Sequence, residues 1–331
     1  MSAAGTARDE GTERALDPAT PPSPGDRAVV RPAARLRGEL RLPGDKSISH
    51  RSLIFAALAA GESRIHAAGD GADVRSTAGV MRALGVSVER LREEGGRVDY
   101  RVVSPGVDGL AEPDDILDCG NSGTSLRLIS GLLAGLPGRA VLTGDASLRR
   151  RPVARVVEPL RAMGATLLAR RDDTLPPITI AGRSPLRAID WATPVPSAQV
   201  KSAILLAALR AEGRTTVREA VATRDHTERM LRARGVAVER GEAAMPDGRP
   251  AVAWSLEGGR PLRAIDERVP GDPSGAAFWL VAGAIHPDAE LILRDVGVNP
   301  TRRAVVDILV AMGARLEERT ARPDDGAAGR V

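Results

Sequence analysis

Apolar residues fall in a recurring order along this chain. Four segments end as amphipathic helices closed by a glycine: Val80-Met81-Arg82-Ala83-Leu84-Gly85, Leu160-Arg161-Ala162-Met163-Gly164, Met230-Leu231-Arg232-Ala233-Arg234-Gly235 and Leu309-Val310-Ala311-Met312-Gly313. A glycine there can take the left-handed cap that ends a helix. The four glycines fall 71 to 79 residues apart, and each runs into a short alternating strand such as Val86-Ser87-Val88-Glu89. Upstream, a turn followed by a strand recurs at Gly61-Glu62-Ser63-Arg64-Ile65, Gly138-Arg139-Ala140-Val141-Leu142, Gly213-Arg214-Thr215-Thr216-Val217 and Ala289-Glu290-Leu291-Ile292-Leu293. Each strand then reaches a polar turn: Gly69-Asp70, Gly144-Asp145, Arg224-Asp225 and Asn299-Pro300. The predicted unit is strand, turn, helix, glycine cap, strand. One unit cannot bury its own apolar face, so the copies should pack around a shared core.

Between these units lie further helix starts, each leading into an Ala- and Leu-rich run. They are Gly120-Asn121-Ser122-Gly123-Thr124-Ser125-Leu126-Arg127, Pro196-Ser197-Ala198-Gln199-Val200-Lys201-Ser202 and Gly271-Asp272-Pro273-Ser274-Gly275. A fourth, Gly44-Asp45-Lys46-Ser47-Ile48-Ser49-His50-Arg51, precedes the apolar run 53–59. The first amides of a helix are unpaired and partly positive, and Lys46 and Arg51 add full charges. If these helices lie parallel, their starts converge on one surface suited to a multiply anionic small molecule. The spacing is not that of a nucleotide-binding P-loop.

Composition narrows the classes. The chain has 331 residues, 43% hydrophobic but only 2% aromatic, so its core must be aliphatic. Forty-seven basic against forty-three acidic residues leave a net charge of +4. No dense basic run interleaves with aromatics, so no nucleic-acid partner is expected. The single cysteine, Cys119, excludes an internal disulfide and a cysteine-based zinc site, and it fits a reducing cytoplasm. No apolar run approaches a membrane span. Residues 1–28 read as a disordered tail without a signal sequence.

The clusters at 44–51, 120–127 and 144–152, with Ser197-Ala198-Gln199-Val200-Lys201-Ser202 and Thr223-Arg224-Asp225-His226-Thr227, resemble the enolpyruvylshikimate-phosphate synthase family, in family order, over about 30–317. The resemblance implies an α/β (α+β) fold of two domains, each built from repeated strand-helix units around buried parallel helices. It implies transfer of the enolpyruvyl group from phosphoenolpyruvate to the 5-hydroxyl of shikimate 3-phosphate. Phosphate leaves through a tetrahedral intermediate, and no metal or organic cofactor takes part. Lys46 is expected to touch both substrates and to be the catalytic lysine. Ser47 and Arg51 would hold shikimate 3-phosphate. Asn121 and Gly123 would line the phosphoenolpyruvate pocket, with Arg151 pairing its anionic groups. Ser197, Ala198 and Gln199 would contact shikimate 3-phosphate, Gln199 lying between the ligands, and Arg224 is a further phosphate candidate. The absent side chain at Gly123 is expected to leave room in that pocket for glyphosate, so that the complete enzyme should be sensitive to it.

Other polar residues read as structural. Arg149, Arg150 and Arg151 cannot all enter one pocket. Ser197 also reads as a helix cap, Lys201 as structural or exposed, and His50 and His226 as structural. Asp272 reads as a cap beside the domain crossover, and Cys119 as packing. The chain departs from the family in length: a Lys-Glu-x-Asp-Arg segment, an Asp-His-Arg segment and the aspartate for the 5-hydroxyl do not occur in 1–331. The expected organisation is a complete three-repeat domain over 46–268, an incomplete domain from 29–45 and 269–317 with an unpaired apolar face, and a disordered end over 318–331. A fragment with little turnover alone is expected, monomeric when complete. Two other readings remain: a non-catalytic anion-binding module, and the related UDP-N-acetylglucosamine enolpyruvyl transferase.

Overall fold

The computed structural model describes residues 32–319. The expected tail, 1–28, lies outside the described residues, as do 29–31 of the first domain and 320–331 of the expected end. After β1 (Leu36–Arg41) the chain crosses through Pro43 and Gly44 into α1 (Lys46–Leu58). Asp45 starts this helix by accepting the Ile48 amide at 2.9 Å, and every residue from Ile48 to Leu58 is buried. A helix with so little solvent face must be central.

Three units then follow. The first holds β2 (Gly61–Gly69), α2 (Ala72–Ala83), β3 (Ser87–Glu94) and β4 (Arg97–Ser104). The second holds β5 (Leu117–Asp118), the buried α3 (Gly123–Ala134), β6 (Gly138–Thr143), α4 (Ala154–Ala162), β7 (Thr166–Ala169), the one-turn α5 (Arg170–Asp173) and β8 (Leu175–Gly182). The third holds β9 (Leu186–Arg187), β10 (Asp190–Ala192), the buried α6 (Ala198–Ala208), β11 (Ala211–Glu212), β12 (Arg214–Glu219), α7 (His226–Ala233), β13 (Val238–Ala244) and β14 (Pro250–Glu257). The last strand of this series, β15 (Glu267–Arg268), returns to pair in parallel with β2.

The three sheets share one order: β15-β2-β4-β3, β5-β6-β8-β7 and β10-β12-β14-β13. The repeat read from the sequence is therefore present, with one correction. Each unit carries a return strand, β4, β8 or β14, that the expected strand-turn-helix-cap-strand pattern lacks. In β4 the pattern is strict: Val98, Tyr100, Val102 and Ser104 are buried and the residues between them half-buried. Such alternation marks a strand covered on one face. The outer helices α2, α4 and α7 cover the sheets, while α1, α3 and α6 fill the middle. Backbones of α3 and α6 approach closely at Gly131, where a Cβ would lie 2.1 Å from the Ala203 carbonyl oxygen. Only glycine permits that approach.

The chain then crosses back through Pro270 and Gly271 into α8 (Pro273–Ile285), β16 (Ala289–Arg294) and α9 (Ala304–Ala311). β16 pairs in parallel with β1, Leu36 opposite Ala289. The two crossovers share the pattern Pro-Gly-Asp-x-Ser and hold each other. The Asp45 amide donates to the Pro270 carbonyl at 2.8 Å, and the Asp272 amide to the Pro43 carbonyl at 2.9 Å. As expected, Asp272 caps its helix, accepting the Ser274 amide at 2.8 Å. Large apolar side chains stand exposed here, among them Phe278, Ile285 and Met312, each nearly four-fifths exposed. A second correction falls at the fourth repeat: residues 314–319 form no strand, and among the described residues no counterpart of β4, β8 or β14 follows for them to pair with.

Candidate functional site

The starts of α1, α3 and α6 meet, joined by side chains that cross between them. His50 Nδ1 of α1 lies 2.7 Å from Thr77 Oγ1 of α2, which lies 2.6 Å from Ser125 Oγ of α3. Ser125 Oγ continues to Ser122 Oγ at 2.7 Å, and Ser122 caps α3. From α6, Gln199 Nε2 donates to Thr124 Oγ1 at 3.0 Å. Its Oε1 accepts from Arg127 Nη1 at 3.0 Å. Arg51 of α1 donates to Ser202 Oγ of α6 and to Thr227 Oγ1 of α7, each at 2.7 Å.

Beside this junction opens a cavity of about 490 Å³, lined by Pro196, Ser197, Ala198, Gln199, Ala222, Thr223, Arg224 and Thr301. Four predicted residues, Ser197, Ala198, Gln199 and Arg224, thus share one wall system. Ser197 also caps α6, its side chain accepting the Val200 amide at 3.4 Å. Arg224 Nη1 donates to Ser47 Oγ at 3.2 Å, which brings Ser47 to the same place. Arg51 lies behind Ser47, bonded to its carbonyl at 2.9 Å and only 3% exposed. Burial lowers the Arg51 pKa to about 10; Glu228 opposes that shift, and repulsion from Arg224 adds to it. The guanidinium stays charged at neutral pH.

Lys46 and the 120–151 residues form a second group. The Lys46 ammonium is exposed and pairs with Asp73 at 3.1 Å, while its amide donates to Asp272 Oδ2 at 3.3 Å. Arg151 donates to Asn121 Oδ1 and reaches Ser147 Oγ at 3.4 Å. Asn121 in turn donates to Asp145 at 2.6 Å, a bond that lowers the Asp145 pKa. Gly123 is buried under two guanidiniums: a Cβ there would lie 2.6 Å from Arg127 Nη1 and 3.3 Å from Arg151 Nη1. Of the three consecutive arginines, Arg151 faces this group. Arg149 bonds the Gly144 carbonyl at 2.6 Å, and both Arg149 and Arg150 are exposed.

Three residues outside the predicted set belong to the site. Arg127 holds Gln199, and its place one turn into α3 within the 120–127 cluster was the available signal. Thr301 lines the cavity from the turn before α9. Next to it, Arg302 lies 3.5 Å from both Asp45 and Asp272 and donates to Ser274 Oγ at 2.6 Å. Burial and the neighbouring Asp272 raise the Asp45 pKa, against the pull of Arg302.

The residues read as structural behave so. His50 and His226 are buried, and burial lowers each pKa to about 3. A neutral imidazole at that pKa takes no proton at neutral pH. The Cys119 thiol is buried and pushed up to about 12 by that burial. Of the two alternatives for Lys201, structural or exposed, the structure shows the first: it is fully buried and paired with Glu219 and Glu228. Carboxylates on neighbouring segments supply the counter-charge that an ammonium needs out of water.

Among the described residues, no group of three or more His, Cys, Asp or Glu side chains is placed to hold a metal. No described helix is long and apolar enough to cross a membrane.

A sequence profile for EPSP synthase (3-phosphoshikimate 1-carboxyvinyltransferase) matches residues 30–325. The 3-phosphoshikimate 1-carboxyvinyltransferase of Anaeromyxobacter dehalogenans is 55% identical over 288 residues, 86% of this chain and 61% of the relative. That of Gloeobacter violaceus is 54% identical over 86% of this chain and 63% of its own length. That of Bacillus subtilis is 46% identical over 88% and 64%. A solved EPSP synthase from Acinetobacter baumannii superposes with a TM-score of 0.75 at 43% identity, over 84% of this chain and 60% of that one. The chain thus spans about six-tenths of the length of the relatives it matches. Profile, relatives and solved structure agree with one another: the chain belongs to the EPSP synthase (3-phosphoshikimate 1-carboxyvinyltransferase) family.

Proposed function

We propose that the cleft binds shikimate 3-phosphate and phosphoenolpyruvate, and that the chain serves transfer of the enolpyruvyl group to the 5-hydroxyl with release of phosphate. The observation that carries this reading is the joining of three buried helix starts, α3 to α6 through Gln199 and α1 to both through His50 and Arg51, beside a cavity that Arg224 and Ser197 line. Unpaired helix amides and guanidiniums together favour anions. Two phosphates and a carboxylate repel one another, and a wall of fixed cations offsets that repulsion while positioning the reacting atoms.

Within this reading Ser197, Ala198, Arg224, Ser47 and Arg51 take shikimate 3-phosphate. Asn121, Gly123 and Arg151 take phosphoenolpyruvate. Gln199 and Lys46 stand between the two, and Lys46 leaves Asp73 to meet the ligands. The proposal includes one unit over 46–268, closed by β15 on β2, and a second from 29–45 with 269–317, joined by the paired crossovers. It also includes a cytoplasmic setting with no nucleic-acid partner, and a monomer when the protein is complete.

The lining of the cavity favours a second, narrower reading. It offers hydroxyls, one amide and one guanidinium, and no carboxylate to take the 5-hydroxyl proton. Binding without turnover by this chain is that reading. Phosphate release measured with both substrates separates the two. Release above the level of an Arg151→Ala variant supports transfer. Saturable binding of shikimate 3-phosphate with no release supports binding alone, and neither binding nor release by the folded chain removes both.

A further inference from the structure

A buried charge cluster lies directly beneath the cleft. Lys201 sits in α6, four residues past Ser197, with no exposed side-chain surface. Its Nζ is 2.7 Å from Glu219 Oε2 and 2.8 Å from Glu228 Oε1, both carboxylates equally buried. The Trp254 ring closes another side, its centroid 5.0 Å from Nζ. Burial raises the Glu228 pKa, and Lys201 opposes that rise. Replacing a buried ion cluster by apolar groups is often neutral for stability, so stability alone is a weak reason for this one.

Its connections point elsewhere. Glu219 ends β12, and its carboxylate turns back under the loop that follows. Thr223 Oγ1 donates to Glu219 Oε1 at 2.5 Å, and the Thr223 amide reaches Oε2 at 3.5 Å. The next residue is Arg224, which lines the cavity and bonds Ser47. Glu228 lies in the first turn of α7, just past Arg224. One ammonium on α6 therefore ties together the end of β12, the Thr223–Arg224 loop and the start of α7. The start of the same helix places Ser197 and Gln199 in the lining of that cavity. The residues that would grip one ligand share this anchor.

We propose that Lys201 is a positioning residue for the cleft: through Glu219 and Thr223 it holds Arg224 at the distance from Ser197 and Gln199 that shikimate 3-phosphate requires. The proposal rests on the shikimate 3-phosphate reading above, and its test separates the two.

The full 331-residue chain is compared with Lys201→Met, Thr223→Val, Arg224→Ala and the doubles that join Arg224→Ala to each of the first two. Shikimate 3-phosphate affinity is read by calorimetry, and amide exchange is followed over 219–226. Lys201→Met and Thr223→Val should each weaken binding about tenfold, a coupling of ordinary size for a connected network. Each double should bind no worse than Arg224→Ala alone, and amides over 219–226 should exchange faster. A structural role alone would give additive losses in the doubles, and that result overturns the proposal. So does unchanged binding and exchange in Thr223→Val, a variant that removes one hydroxyl and decides the matter if Lys201→Met does not fold. If the wild-type chain binds no shikimate 3-phosphate, the functional reading falls. The exchange result then judges the anchor: faster exchange in Thr223→Val supports it, and unchanged exchange overturns it.

Discussion

Arg127 Nη1 donates to Gln199 Oε1 at 3.0 Å, a contact between residues 72 positions apart that fixes which way the amide faces. With Oε1 taken by Arg127 and Nε2 given to Thr124, the orientation of Gln199 follows from its partners. Arg127 also donates to the Gly123 and Pro152 carbonyls, at 3.2 and 3.0 Å. Removing it strands two acceptors, Gln199 Oε1 and the Pro152 carbonyl, since the Gly123 carbonyl keeps its helical amide, and leaving such groups unpaired costs about 1–3 kcal/mol each when they stay buried. Arg127→Met should therefore lower stability to urea by about 1–3 kcal/mol, since water reaches part of this half-buried site. It should also weaken phosphoenolpyruvate binding in the presence of shikimate 3-phosphate. Unchanged stability and affinity would mean that Gln199 needs no holder.

Gly123 bears on the same guanidinium. The nearest atom to an added Cβ is the tip of Arg127 at 2.6 Å, with Arg151 next at 3.3 Å. Both are ends of flexible side chains, so Gly123→Ala should fold. Of the displaced groups, Arg151 is assigned to phosphoenolpyruvate and Arg127 holds Gln199 between the two ligands; neither touches the shikimate 3-phosphate residues Ser197, Arg224 or Ser47. Glyphosate and phosphoenolpyruvate should bind about tenfold or more weakly, ~1.4 kcal/mol, with shikimate 3-phosphate affinity little changed. Equal competition by glyphosate in the two forms would remove the steric argument.

The buried His50 links acidity to stability. Its pKa falls from 6.5 to about 3 on folding because burial disfavours the charged ring. Between those values the unfolded chain binds more protons, so stability should drop as pH falls below about 6.5. Above that range the ring is neutral in both states and contributes no slope. At pH 5.5 the loss from one such histidine is about 1 kcal/mol, by the free-energy value of a pKa unit. His50→Asn should show a shallower decline in urea midpoint between pH 7 and 5.5. The same slope in both proteins would show that His50 titrates normally in the fold.

Much of the fold was legible because its signals are local. The apolar run after Arg51 gave α1, and the glycines at 85, 164 and 235 closed α2, α4 and α7 with positive φ at each. The polar helix starts gave the cleft, since capping and helix charge are written within a few residues. The return strands β4, β8 and β14 went unread although β4 alternates strictly, because the expected unit ended at the strand before each, and antiparallel pairing with that strand is not written in either segment alone. The Lys201 cluster was out of reach for the same reason. Its partners, Glu219 and Glu228, are 18 and 27 positions away on other elements, β12 and α7, beyond the reach of any local pattern. Arg302 stands in no cluster that marks it out in the sequence. Its role appears only when the two Pro-Gly-Asp crossovers are seen side by side. The irregular chain after Gly313 shows the converse: alternation is not enough for a strand without a neighbour.

The central claim is that the cleft beside Gln199 takes shikimate 3-phosphate, and calorimetric titration of that ligand into the 331-residue chain tests it most directly. Arg224→Ala is the control, because Arg224 lines the cavity and bonds Ser47. The account expects saturable one-to-one binding that weakens as salt rises. The variant should bind about tenfold or more weakly, as for loss of a charged hydrogen bond to phosphate. No binding by a chain shown to be folded, or equal binding by the variant, would contradict it.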